Sequence, residues 1–276
     1  MTLAPYEDIR YLAEGGIATI TLDRPERLNA LRVQTYAELL RALRAAGADE
    51  TVGVLVVCGA GRAFCAGGDI EMAQTVLTSE AAGRTHFFER MIGVSEVIVG
   101  LGKPVVFSIH GACVGGGAEM ALFGDVVLAD ETAYFLFNGT KIGGGNWWGA
   151  AQLLPLMIGL RRAQEILYQS TRVDAKQAAE IGLITRVVAA GTLEEATAEV
   201  CEQILDLSEE GVRLTKAALR PTLQMLLSSQ AAAAELNVAA MGKPDLHAAF
   251  DAFLAGRSVS WRALRPGLAT GDGGRS

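Results

Sequence analysis

Apolar positions along the chain change period several times, and each change marks an element. Ile9, Tyr11 and Ala13 alternate up to Gly15-Gly16; Ala18, Ile20 and Leu22 then alternate with Ile17, Thr19 and Thr21. Period two on both sides of a glycine pair predicts a β-hairpin over 9–22, ended by Arg24-Pro25. Asn29 is placed to cap a helix in which Leu31, Val33, Tyr36, Leu39, Leu40 and Leu43 keep helical spacing. Unbroken apolar runs at 53–58, 105–109 and 126–129 predict strands buried on both faces. Further strands are predicted at 134–137 and 183–188. Helices are predicted over 71–100 (with a polar middle, 79–86), over 150–168 with a break at Gly159, and from Asp174, as cap, to a stop at Gly182. Glu89 and Arg90 read as a solvated pair or as part of a wall over a site. From Thr192 onward the pattern is helical throughout, with Leu193, Ala196, Val200, Ile204 and Leu207 in one stripe and further pieces at 212–219, 223–227, 231–241 and 246–254.

The centre of the pattern is residues 103–130, K-P-V-V-F-S-I-H-G-A-C-V-G-G-G-A-E-M-A-L-F-G-D-V-V-L-A-D. Strand, glycine turn, helix with Glu119 in its first turn, and strand make an α/β unit. Three divisions follow: a core over 1–190, a helical region over 191–262 suited to contacts within or between chains, and a Gly-rich charged tail over 263–276 expected to be disordered.

Composition narrows the function classes. Of 276 residues half are hydrophobic, enough for a sizeable core, and no run is long enough to span a membrane. The first residues lack the basic and apolar regions of a signal peptide, so a cytoplasmic protein is expected. A net charge of −7 argues against nucleic-acid or membrane-surface partners. Cys58, Cys65, Cys113 and Cys201 form no C-x-x-C pair and read as reduced packing residues; no metal site is expected. His110, at the end of a buried run, reads as a hydrogen-bonded core histidine.

Three glycine-rich stretches carry the candidate chemistry: 59–70 (G-A-G-R-A-F-C-A-G-G-D-I), Gly115-Gly116-Gly117, and 138–149 (N-G-T-K-I-G-G-G-N-W-W-G). Neither a dinucleotide fingerprint, nor a P-loop, nor G-x-S-x-G is present. Glycines permit positive φ and close approach; they also leave peptide N–H groups bare, where an oxyanion can be held. Ala66 is one such candidate N–H. Asp69 reads as a helix cap. Glu119, among apolar neighbours, is either an exposed first-turn acid or a cleft carboxyl with a raised pKa. Trp147-Trp148 is either core or the wall of a pocket.

Taken in order, the segments R-P-E-R-L-N-A-L (24–31), G-R-A-F-C-A-G-G-D-I (61–70), 103–125 and D-A-K-Q-A-A-E-I-G-L-I-T-R-V-V (174–188) resemble the crotonase (enoyl-CoA hydratase/isomerase) superfamily, over about residues 6–257. The resemblance implies an α/β spiral of repeated β-β-α units with C-terminal helices at trimer contacts, hence a homotrimer or hexamer. It implies an acyl-CoA thioester as substrate and no separate cofactor. By position, the oxyanion donors are the Ala66 and Gly116 N–H groups and Glu119 is the catalytic acid/base. Arg27 and Leu28, with backbone at Cys65, Gly67, Gly68, Asp69 and Ile70, would hold the CoA portion; Gly115, Gly139 and Trp147 would border the acyl group. The sequence departs from the hydratases at their second glutamate, where Gly139 stands. Its 138–149 loop looks closer to the branch of dihydroxynaphthoyl-CoA synthase and 2-ketocyclohexanecarboxyl-CoA hydrolase, except that Gly144 and Asn146 occupy that branch's Ser and Asp positions. Three functions follow: a hydratase-type lyase acting through a thioester enolate, with Asn146 or a water taking part of the missing acid's role; C–C bond chemistry on a cyclic or β-keto acyl-CoA; or a non-catalytic partner subunit.

Overall fold

The computed structural model describes residues 5–241, 243, 246–248, 251–252, 255–257 and 259–262. The expected tail and much of the expected 246–254 helix lie outside the described residues.

The chain opens with the predicted hairpin, β1 (Ile9–Glu14) and β2 (Ile17–Leu22), antiparallel with Ile9 opposite Leu22. Helix α1 (Val33–Ala48) follows, and then the chain repeats a theme. β3 (Val54–Gly59), β4 (Ala63–Cys65) and helices α2 (Ile70–Thr78) and α3 (Ala81–Gly100) form one turn; β5 (Val105–Ile109), β6 (Ala112–Val114) and α4 (Gly116–Ala121) the next. β7 (Val126–Asp130), β8 (Tyr134–Leu136), α5 (Ala150–Ile158) and α6 (Leu160–Gln169) form the third. β9 (Arg172–Asp174), α7 (Ala175–Glu180) and β10 (Arg186–Val188) complete the core. The first strand of each turn joins a six-stranded sheet, β1-β2-β3-β5-β7-β10; the second joins a four-stranded sheet, β4-β6-β8-β9. All neighbours from β2 to β10 in the larger sheet are parallel, with Leu55 beside Val105 and Phe107 beside Val127. This is the repeated β-β-α spiral that the resemblance implied.

Continuous V/I/F runs suit strands covered on both faces, and Val54, Leu55, Val105, Val106, Phe107 and Ile109 are all fully buried. Helices α8 (Leu193–Leu205), α9 (Glu209–Leu227) and α10 (Gln230–Met241) follow the core. An ion pair buried on its lysine side fastens α9: Lys216 Nζ meets Asp125 Oδ2 at 2.6 Å and donates to the carbonyls of Ile98 and Lys103. Burial pulls the Lys216 ammonium below its usual range, against the opposing pull of Asp125.

Several elements differ from the sequence reading. Asn29 does not cap α1. It sits at φ 57°, and its amide donates to Ala60 O and Ala63 O while its oxygen accepts from Arg24 N, so it clips the first loop to the next turn of the spiral. The helix begins only at Val33, where the Thr35 hydroxyl reaches back to Arg32 N (3.1 Å). The 71–100 helix is two helices, parted at Ser79-Glu80. The pieces at 212–219 and 223–227 are one helix, α9, which continues through Pro221. The last strand starts at Arg186, not Leu183. Glu89 and Arg90 do not pair with each other; adjacent helical positions point apart, and both meet His86 instead. Among the described residues no helix is long and apolar enough to cross a membrane.

Candidate active site

The glycine-rich stretches converge because each follows a strand of the smaller sheet. β4, β6 and β8 run parallel in that order, so the segments leaving them end side by side. Between those segments and α1, α3 and the C-terminal helices lies a cavity of about 220 Å³.

The first wall is the run 66–69, where successive peptides face opposite ways. Leu28, in the left-handed region at φ 50°, turns its carbonyl onto Ala66 N (2.9 Å). Leu31 then brackets the run: its N–H donates to Gly67 O (2.7 Å) and its carbonyl accepts from Asp69 N (2.8 Å). The N–H left over is that of Gly68, which donates to no protein acceptor among the described residues and borders the cavity. The expectation that Ala66 offers a bare N–H is therefore corrected: its donor is held by Leu28, and the free one lies two residues later. Gly67, at φ 97°, has no room for a side chain, since a Cβ would lie 2.9 Å from Val114 O.

The second wall is the turn into α4. Gly115 takes φ 50° and donates to Leu136 O (2.8 Å), which leaves Gly116 as the first helical residue with no partner inside its helix. Gly117 is required by packing, because a Cβ there would meet Cys65 Cβ at 2.6 Å. One turn on, Glu119 is 6% exposed and projects into the same cavity. Burial pushes its carboxyl up to about 8; the Trp148 N–H, donating to Oε1 at 3.1 Å, pulls the other way. Glu119 is the one acidic residue among the described residues that line the cavity.

The third wall is the 138–149 loop. Gly139 N donates to Asn146 Oδ1 (2.9 Å). A Cβ on Gly139 would lie 2.7 Å from the Gly145 carbonyl and 2.8 Å from Asn146 Oδ1. The place where the hydratases carry their second glutamate is thus closed by this loop's own backbone. The two tryptophans divide the alternatives between them. Trp147 lines the cavity against Phe88 (4.6 Å between centroids), whereas Trp148 is fully buried core and contributes its backbone to Glu119.

Ala66, Gly67, Gly68, Ile70, Gly115, Gly116, Glu119, Gly139, Asn146 and Trp147 all border the cavity. Arg27, Leu28, Cys65 and Asp69 do not. Arg27 is on the surface, 3.2 Å from Glu71, one residue from the cavity residues Ile70 and Met72. Asp69 caps α2 through Glu71 N and Met72 N and is held by Arg24 (2.9 Å), so the cap reading stands. The Cys65 thiol is fully buried and pushed up to about 12 by burial, which makes it inert packing. His110, half-buried, donates from Nε2 to Gly61 O (2.9 Å) and does not line the cavity. Sequence reasoning missed Tyr36, taken as one residue of a core stripe, and Asn138 and Asn237, which also line the cavity. Asn237 crosses from α10 to accept from Gly145 N (2.8 Å), a contact for which no local pattern exists.

A profile of the enoyl-CoA hydratase/isomerase family matches residues 13–263. The chain belongs to that family. Membership makes it an acyl-CoA-processing enzyme, with hydration and isomerisation both within the family's name. Among curated relatives it is 33% identical over 223 residues to the 1,2-epoxyphenylacetyl-CoA isomerase of Escherichia coli K12, covering 79% of this chain and 83% of that one. It is 31% identical to a probable enoyl-CoA hydratase of Rhizobium meliloti 1021, covering 81% and 85%. The crystal structure of an enoyl-CoA hydratase/isomerase from Xanthobacter autotrophicus Py2 superposes with a TM-score of 0.84 at 32% identity, over 91% of this chain and 94% of that one. One from Mycobacterium paratuberculosis gives 0.84 at 29%, over 90% and 98%.

Proposed function

We propose that this enoyl-CoA hydratase/isomerase family member forms a thioester enolate in the cavity, with Gly68 and Gly116 N–H on the thioester oxygen and Glu119 moving the proton. The observation that carries the reading is one carboxyl, raised to about 8 by burial, in a cavity shared with two unengaged peptide donors. Donors fixed in a dry site stabilise charge that develops on the oxygen without reorganising. A carboxyl held near 8 exchanges a proton with carbon or water at working pH far more readily than one near 4.5.

The net reaction we assign is addition of water to a 2-enoyl-CoA. Glu119 as carboxylate takes a proton from water as the hydroxyl adds to C3. The electron pair of the double bond moves onto the thioester oxygen, and the protonated Glu119 then returns its proton to C2. This cycle needs one carboxyl, which agrees with the closed position at Gly139; the side-chain amides of Asn138 and Asn146 border the cavity and can hold the water. The second reading is a double-bond shift by removal and return of one proton. The walls built from Val76, Phe87, Phe88, Met91 and Trp147 favour it, because they offer water little. Arg27 is proposed to meet the CoA phosphates at the rim, and the C-terminal helices to assemble the chain as a homotrimer or a hexamer.

Incubation of linear, aromatic and cyclic acyl-CoAs in D₂O, read by mass spectrometry, tests this. Gain of one water by a 2-enoyl-CoA is the expected outcome. Migration of the double bond with deuterium at carbon and no added water selects the second reading. Ring opening of a cyclic β-keto thioester would move the chemistry to C–C cleavage. Binding with neither exchange nor turnover would sink the enzymatic proposal in favour of a partner subunit.

A further inference from the structure

Tyr36 is one of the most deeply buried aromatic residues of the protein, at 1% exposure, yet it borders the cavity. Its ring is wedged on edge against Phe87 (5.7 Å) and Trp148 (5.8 Å). Its hydroxyl forms no hydrogen bond with any described residue and is not among the sealed, unpartnered polar atoms, and the residue lines the cavity. A side-chain carbon on Gly116 would stand 3.5 Å from that oxygen, which puts the phenol beside the Gly116 peptide.

Packing does not account for the hydroxyl. Phenylalanine would fill the same slot, so the hydroxyl adds nothing to the packing, and it stands at a cavity where a ligand can meet it. The Gly116 peptide, whose N–H is free, stands beside it, and Cys65 and Glu119 are close enough to act on its charge. Resting on the function proposed above, we infer that Tyr36 Oη is a third hydrogen-bond donor to the thioester oxygen, beside the Gly68 and Gly116 N–H groups. Burial first, and then Cys65 and Glu119, push the phenol well above its ordinary range. It therefore stays protonated and acts as a donor, never as a base. A third donor fits a site that has closed off the second acid: with one carboxyl to move protons, more of the barrier falls to stabilising the enolate oxygen.

The test is isotope-edited infrared spectroscopy of butyryl-CoA carrying ¹³C at the thioester carbon, bound to the full-length protein, with binding followed by calorimetry on the same samples. Hydrogen bonds lower the carbonyl frequency. The wild type is expected to lower it relative to free ligand, and Tyr36→Phe to lose a substantial part of that shift. The same variant should keep KM within about twofold while kcat falls on the order of 10²-fold. Incorporation of 2,3-difluorotyrosine at position 36, a stronger donor of nearly the same shape, should enlarge the shift; it also serves as the readout if Tyr36→Phe fails to fold. A wild-type shift left unchanged by both replacements overturns the inference about Tyr36 alone. A bound wild-type carbonyl at the free-ligand frequency, or no binding, overturns the oxyanion reading and this inference with it.

Discussion

At Glu119 burial and a single peptide hydrogen bond oppose each other, and burial prevails. The consequence for stability has a definite sign. The unfolded side chain titrates near 4.5 and the folded one at about 8. Between those values the folded protein keeps a proton that the unfolded chain has released. Stability therefore falls as pH rises through this window, by about 1.4 kcal/mol per pH unit at most, and levels off above it. Glu119→Gln removes the titration, so its advantage over the wild type in Tm should grow between about pH 5 and about pH 8; a constant difference would mean that the carboxyl is not buried as described. The same substitution should lower turnover by roughly 10²–10⁴-fold while calorimetry finds acyl-CoA affinity nearly intact. Activity of the wild type should rise with pH toward about 8, where the base form appears. Gly139 allows a second prediction at this scale. Restoring a carboxylate with Gly139→Glu should not raise hydratase activity and should lower Tm, because its Cβ would press on Gly145 and Asn146. A gain in hydration rate would show that the loop yields.

Among elements, those with a declared period, an apolar run or a capping signal were legible in the sequence, and three of the shortest strands were not. The hairpin, β3, β5, β7 and the Asp174-capped α7 emerge from alternation, apolar runs and capping chemistry alone. β4, β6 and β9 have three residues each, too few to show a period, so of the second sheet only β8 was read from the residues. The same limit explains the exchange of Ala66 for Gly68. Whether a peptide N–H is free depends on which way it points, and that is fixed by Leu28 and Leu31, some 35 residues earlier, rather than by composition. Tyr36 fell to a different cause: its spacing on α1 is that of core residues, and it is indeed core except at one oxygen. A third prediction belongs to α9. Lys216→Met should destabilise the protein by about 1–3 kcal/mol in urea titrations with an unchanged m-value, since it leaves the Ile98 and Lys103 carbonyls without their donor. A loss below about 0.5 kcal/mol would mean that water takes over the ammonium's role.

Over the whole molecule, the cavity is assembled from distant parts of the chain. Tyr36 lies near one end of the sequence and Leu246 near the other, and both border the same space. Asn237 and Met241 of α10 complete the wall, and Asn237 also ties the 138–149 loop in place through Gly145. The division into a core over 1–190 and a separate helical region is thus a division of chain, while the site belongs to both. Helices α9 and α10 carry exposed Leu214, Leu219, Met225 and Leu236, with exposed Leu207 in the turn between α8 and α9, and assembly through this region should appear as a trimer or hexamer by analytical ultracentrifugation; a monomer at micromolar concentration would refute it. The shared wall also bears on the order of synthesis. A nascent chain can lay down both sheets, with Glu119 and its peptide donors already placed, long before α10 leaves the ribosome. The wall that α10 supplies is missing until then, so a chain still being made would hold the Glu119 carboxyl beside an unfinished cavity.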